Sequence, residues 1–110
     1  MIHKMRLVDF AFNAIKNKEK DIELRLNDEK RQLINIGDTI IFTNIDTQEE
    51  LKVMVTNLYK HNTFEELFNA FDIKRFGCND TDTSSIMDEF YTKEEQKKFG
   101  ALGIEIKLLK

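Results

Sequence analysis

The sequence predicts a mainly β domain with helices: about five strands in a small mixed barrel, with the helices peripheral, over residues 1–110 as one domain. Three observations lead there. Apolar residues recur with period two in several separate segments, the signature of half-buried strands. Between Lys20 and Tyr59 no regular strand–helix alternation appears, and a doubly wound parallel sheet would require one. Finally, the 110 residues contain no proline, no Gly/Ser linker and no internal repeat to mark a second unit.

The elements follow in order. His3–Val8 reads as a first strand, with Met5 and Leu7 alternating against polar neighbours. Asp9 is placed to cap a short helix over Phe10–Asn17, where Ala11, Ala14 and Ile15 fall at helical spacing. Lys20–Asn27 reads as a second strand, with Ile22, Leu24 and Leu26 on one face and Glu23, Arg25 and Asn27 on the other. Asp28–Ile34 is a helical turn or loop, and Gly37-Asp38 is a turn signal. Thr39–Asn44 is a largely buried strand, Thr47–Glu49 a hairpin tip, and Leu51–Tyr59 a long strand. The period then changes. Thr63 and Glu66 have capping-box spacing, and Phe64, Leu67, Phe68 and Phe71 form one helical face. Asn79–Ser85 is a polar connector and Ile86–Tyr91 a short helix. Thr92 and Glu95 form a second capping box for a helix ending at Gly100, and Leu102–Leu108 alternates as a closing strand.

Composition narrows the function classes. At 41% hydrophobic and 34% charged residues the chain is globular. Nine of its eleven aromatics are Phe, which has no polar handle, so most of these rings are expected in the core. Cys78 stands alone, so it forms no intrachain disulfide and reads as an incidental thiol. No run approaches the roughly 20 apolar residues of a membrane span and none resembles a signal peptide, so a cytoplasmic location is expected. His3, His61 and Cys78 are too few and too far apart for a metal set, and neither metal nor cofactor is expected. Glycines at 37, 77, 100 and 103 make no phosphate-cradling loop. The net charge of -3 is unevenly spread: +2 over residues 1–31, -2 over 32–60, -6 over 61–95 and +3 over 96–110. If the terminal strands pair, one face becomes positive although the whole is negative.

Lys20-Asp21-Ile22-Glu23-Leu24-Arg25 carries the most chemistry. Glu23 and Arg25 lie two apart on one strand face, with Cα atoms about 6–7 Å apart. Arginine offers a planar donor fork for phosphate or carboxylate; Glu23 is able to neutralise it or to accept from a base amino group. Lys20 is in register with Ile22, so a bulge or loop is needed to bring its amine to the same side. Read by pattern alone, the run is first of all a solvent-facing ladder of cross-strand ion pairs.

This run resembles the G-x-K-x-x-E-x-R signature of ASCH domains, a family within the PUA-like superfamily. The Gly37-Asp38 turn, Phe64-Glu65-Glu66-Leu67-Phe68 and Tyr91-Thr92-Lys93-Glu94-Glu95-Gln96 leading to Gly103-Ile104-Glu105-Ile106 are similar to short bacterial ASCH proteins, and the likeness spans nearly the whole chain. Lys18 stands where the signature has Gly, which suggests a turn built another way and an extra cation at the mouth. The resemblance implies a β-barrel with a cleft beside the motif strand and an RNA or nucleotide-like ligand, held by Lys20, Glu23 and Arg25; Lys18, outside the signature, is added to the binding set as the extra cation. One similar bacterial relative deacetylates N4-acetylcytidine with a Lys, a Thr three residues later and a distant Glu. Lys20 matches that Lys, Glu23 occupies the Thr position and so removes the hydroxyl, and Glu65 or Glu66 would be the third.

Tyr59 and Tyr91 are candidate stacking platforms for a base, with core-edge packing as the alternative role of each. Three functions are therefore expected in order. The first is a binding module for RNA or a nucleotide. The second is a small amidohydrolase or nuclease on a modified nucleoside or RNA, with Lys20 and Glu23 catalytic. The third is a protein-interaction module using the acidic 61–95 stretch. The oligomeric state is open at this level.

Overall fold

The computed structural model describes residues 1–109. Five strands, β1 (Ile2–Leu7), β2 (Ile22–Leu26), β3 (Thr39–Asn44), β4 (Glu50–His61) and β5 (Ala101–Leu108), form one sheet in the order β1-β3-β4-β5-β2. Only β1 and β3 run parallel; the other three pairings are antiparallel, and the mixed sheet curls into a half-barrel. A bulge between Val55 and Asn57 shifts the register in the long β4 and adds local twist. The terminal strands β1 and β5 are not neighbours, so the condition for a basic face made by their pairing is not met. β1 and β2 are instead the two edges of the sheet.

The edges meet across an open seam through a side chain. Arg25 Nη2 on β2 donates to the Arg6 carbonyl on β1 at 2.8 Å. Inside the curl lies one core, built on Phe12, Ile15, Ile40, Phe42, Val53 and Ile104. A second core, with Ile22, Leu24, Phe64, Leu67, Phe68 and Phe76, lies on the outer face of β2 and β5. It is covered by helix α2 (Phe64–Ala70). β2 is therefore buried on both faces, and its charged residues are not a solvent ladder.

The local signals explain the helices. Helix α1 (Asp9–Lys16) is capped by Val8, with no side-chain cap bond. Asp9 lies one position inside, where its Oδ1 accepts from Asn13 and Asn44. Thr63 accepts from the Glu66 N–H, but Glu66 reaches back to the Asn62 N–H, so that box is only half formed. Phe71 falls beyond α2 in extended backbone and packs on Tyr59 at 4.6 Å. Helix α3 (Lys93–Phe99) has the full Thr92–Glu95 box and ends at Gly100, whose φ is +76°. A Cβ at Gly100 would stand 2.8 Å from the His61 carbonyl oxygen. The connector before α3 contains a 3-10 helix, Ser84–Glu89. Phe10 and Phe90 are 76% and 58% exposed, exceptions to the expectation that phenylalanines are core.

Candidate functional site

The turn that follows α1 sets up the site. Lys18 takes φ +63°, so the lysine adopts the left-handed conformation that glycine would supply, and the turn is not built another way. The N–H groups of Glu19 and Lys20 then both donate to the Ala14 carbonyl. This hooks Lys20 back over the helix end before β2 begins. Lys18 itself is exposed at the turn.

From that loop position Lys20 reaches Glu23: Nζ lies 2.8 Å from Oε1. Arg25 donates from Nε and Nη2 to Glu23 Oε2, each at 2.8 Å. The Leu24 N–H adds a further bond to Oε1 at 3.2 Å. Glu23 is 4% exposed and Lys20 9%. Burial by itself would push the Glu23 carboxyl pKa up; the charges and hydrogen bonds of Lys20 and Arg25 override it and hold the pKa at about 2. Burial likewise works against the Arg25 charge, and Glu23 reverses that, leaving the guanidinium pKa raised. Glu23 is thus a fixed anion with both oxygens doubly engaged, an arrangement that positions two cations and does not suit a proton shuttle at neutral pH.

These three side chains line a cavity of about 330 Å³ at the seam between the sheet edges. Its walls are largely apolar. Val8 and Phe10 come from the start of α1, Ile45 from the β3–β4 hairpin, and Ile86, Phe90 and Tyr91 from the connector before α3. Four of these wall residues, Val8, Phe10, Ile45 and Phe90, are large apolar side chains left at least 37% exposed. They gather round one opening as a single exposed apolar rim. Asn44 holds the hairpin there. Its Oδ1 accepts from the Asp46 and Thr47 N–H groups, and its Nδ2 donates to Asp9. Cys78 also lines the cavity, with burial raising its thiol pKa.

The other candidates divide. Tyr91 lines the cavity and lies parallel to Phe64 at 6.2 Å. Tyr59 does not line it. Its hydroxyl donates to Glu105, which also accepts from Thr56 and Arg75. Arg75 in turn clamps Asp21 through Nε and Nη2 at 3.0 and 3.1 Å. Glu65 and Glu66 line a different, polar groove. Sequence reasoning missed Arg6, Asn44 and the apolar rim. An Ile or Phe in an apolar-patterned segment carries no mark of being exposed, and the only available signal was the polar neighbours of Phe10 and Phe90. Among the described residues no group of three His, Cys, Asp or Glu side chains is arranged to hold a metal ion, and no helix is long and apolar enough to cross a membrane.

Comparison with known proteins bears on the fold and the family. Hypothetical protein PH0355, solved by crystallography, superposes with a TM-score of 0.85 at 32% identity, over 99% of this chain and all of that one. Protein PF0455 from Pyrococcus furiosus, solved by NMR, gives 0.78 at 32% identity, over 100% and 99% of the two chains. The ASCH domain of Lactobacillus crispatus, at 13% identity and a TM-score of 0.65, shares the fold over 96% of this chain and 79% of its own. The similarity is therefore not confined to bacterial chains. No curated protein matches. The ASCH domain family model matches residues 5–110, which takes in the seam, the Lys20–Glu23–Arg25 cluster and every wall of the cavity. The chain belongs to the ASCH domain family.

Proposed function

We propose that this protein is a binding module for RNA that takes one unstacked nucleobase into the cavity above Lys20, Glu23 and Arg25. The observation that carries this reading is the meeting of two cations and one buried anion on the floor of an apolar-walled hollow. A flat, largely apolar body with a polar edge fits such a space, and 330 Å³ is at the small end of ligand sites. Exposed Phe10 and Phe90 at the mouth supply stacking faces.

The floor also states which edge it accepts. A carboxylate has about four acceptor positions, and those of Glu23 are filled by Lys20, Leu24 and two nitrogens of Arg25. What remains for a ligand is donors only: the further N–H groups of Lys20, and Arg25 Nη1, which has no partner among the described residues. The matching group is a carbonyl or phosphate oxygen, and a base amino group finds no acceptor on Glu23.

Titration of the protein with the four common nucleosides, followed by NMR, tests the reading. Shifts should concentrate on Gly77, Arg25 and Tyr91, with carbonyl-bearing bases binding more tightly than adenosine. Phe90→Ala and Phe10→Ala should weaken binding with the fold intact, by about 1–3 kcal/mol for each base-stacking ring lost. Binding that ignores both rim substitutions, or no binding to any nucleoside or oligoribonucleotide, would count decisively against it.

A further inference from the structure

A second, larger hollow of about 880 Å³ lies behind one wall of the cavity. The two share that wall. Along one stretch of the connector, Ile86, Met87, Phe90 and Tyr91 face the cavity, while Ser84, Ser85 and Asp88 face the groove. The barrier between them is one helical segment, on the order of 10 Å across. A chain with a residue seated in the cavity needs to cross only that segment to reach the groove.

The two spaces differ in chemistry. The cavity is walled mainly by aromatic and aliphatic groups, whereas the groove mixes lysines, carboxylates, amides and hydroxyls with Phe64 and Phe99. Two of the groove's three carboxylates are already engaged. Asp88 Oδ2 is 3.0 Å from Lys93 Nζ and its Oδ1 accepts from Gln96 at 2.8 Å; Glu66 lies 3.5 Å from His61. Lys60, Lys97 and Lys98 form no ion pair among the described residues. The groove thus presents free cations on long flexible stems beside acids that are mostly satisfied.

Asn27 also lines the groove and adds an amide beside the lysines. The repeating unit of RNA suits this lining: phosphate oxygens for the lysines and a ribose 2′-hydroxyl for a polar side chain such as Asn27.

We infer that the groove holds the ribose–phosphate backbone flanking the base in the cavity, so that the occupant of the whole site is a single RNA strand and not a free nucleotide. This rests on the nucleobase reading of the cavity, and it adds a separate, salt-dependent contact surface made by Lys60, Lys97, Lys98 and Asn27.

The test compares a mononucleotide with short single-stranded RNA and DNA oligomers of one sequence, by anisotropy and calorimetry across a salt series. The RNA oligomer should bind at least tenfold more tightly than the mononucleotide. The triple variant Lys60→Gln, Lys97→Gln, Lys98→Gln should lower the salt slope for the oligomer by about 2, from about 0.7 per phosphate contact, and leave the affinity for the phosphate-free nucleoside unchanged. Asn27→Ala should reduce the preference for RNA over DNA. If the mononucleotide binds as tightly as the oligomer, or the triple variant keeps the wild-type slope, the groove assignment is overturned while the cavity reading stands. If neither mononucleotide nor oligomer binds, both fall together. Circular dichroism on each variant checks that the fold is in place.

Discussion

Replacing Glu23 with Gln removes one negative charge from between two buried cations. The magnitude follows from the site. The carboxyl pKa falls from an ordinary 4.5 to about 2, and each tenfold change in proton affinity is worth about 1.4 kcal/mol, so the ionised form contributes about 3 kcal/mol to folding. That agrees with the 3–5 kcal/mol typical of stripping one partner from a buried ion pair. Because the folded pKa is depressed, this stability is fully present above the pKa of the unfolded carboxyl and is lost as pH falls toward about 2. Urea unfolding followed by far-ultraviolet circular dichroism should show Glu23→Gln less stable than wild type by about 3 kcal/mol at pH 7, equivalent to roughly 10–20 °C in Tm. Between about pH 4.5 and 2 the wild type should lose stability steeply. The variant should lose less, the remainder coming from other depressed carboxyls such as Asp38, which His3, the Asn35 N–H and the amino terminus hold at about 2. Equal stability at pH 7, or equal acid slopes in the two proteins, would refute the account of Glu23 as the charge that holds the floor together.

Three further outcomes follow from the backbone and packing. Lys18→Gly should raise stability by about 0.5–1 kcal/mol in thermal melts, because a non-glycine residue at φ +63° carries a steric cost that glycine relieves. Gly77→Ala should both strain a residue at φ +81° and set a Cβ 3.2 Å from Lys20 Cδ, so nucleoside affinity measured by calorimetry should fall along with Tm. Gly103→Ala has normal backbone, yet its Cβ would lie 3.2 Å from Ile22 and 3.3 Å from Leu67, two fully buried side chains; denaturant melts should show a loss of about 1–3 kcal/mol from overpacking.

Much of the fold was legible in the residues because its causes are local. Thr39–Asn44 forms the strand that its apolar run implies, Thr92 and Glu95 make their reciprocal cap, and Gly37 and Gly100 take the positive φ that turns and helix ends demand. Where local signals competed they were less decisive. Asp9 looked like a cap, yet Val8 takes that place and Asp9 serves Asn13 and Asn44, since Asn44 arrives from a strand 35 residues away. The Lys20–Arg25 run was readable as charged chemistry, but whether it faced water depended on what lay opposite, and period-two alternation is the same for a solvent ladder and a buried floor.

The sequence alone therefore determined the set of strands, the turns and caps, and the concentration of charge at Lys20, Glu23 and Arg25. Those follow from side-chain periodicity and backbone sterics, which act over a few residues. Only the tertiary structure decided that β2 is buried on both faces, that Arg25 ties it to β1 across the seam, and that Val8, Phe10, Ile45 and Phe90 gather at one mouth while Tyr59 is drawn away to Glu105. Burial and dielectric at a residue are set by segments distant in the chain, and it is burial that turns three ordinary charges into a fixed, donor-rich floor.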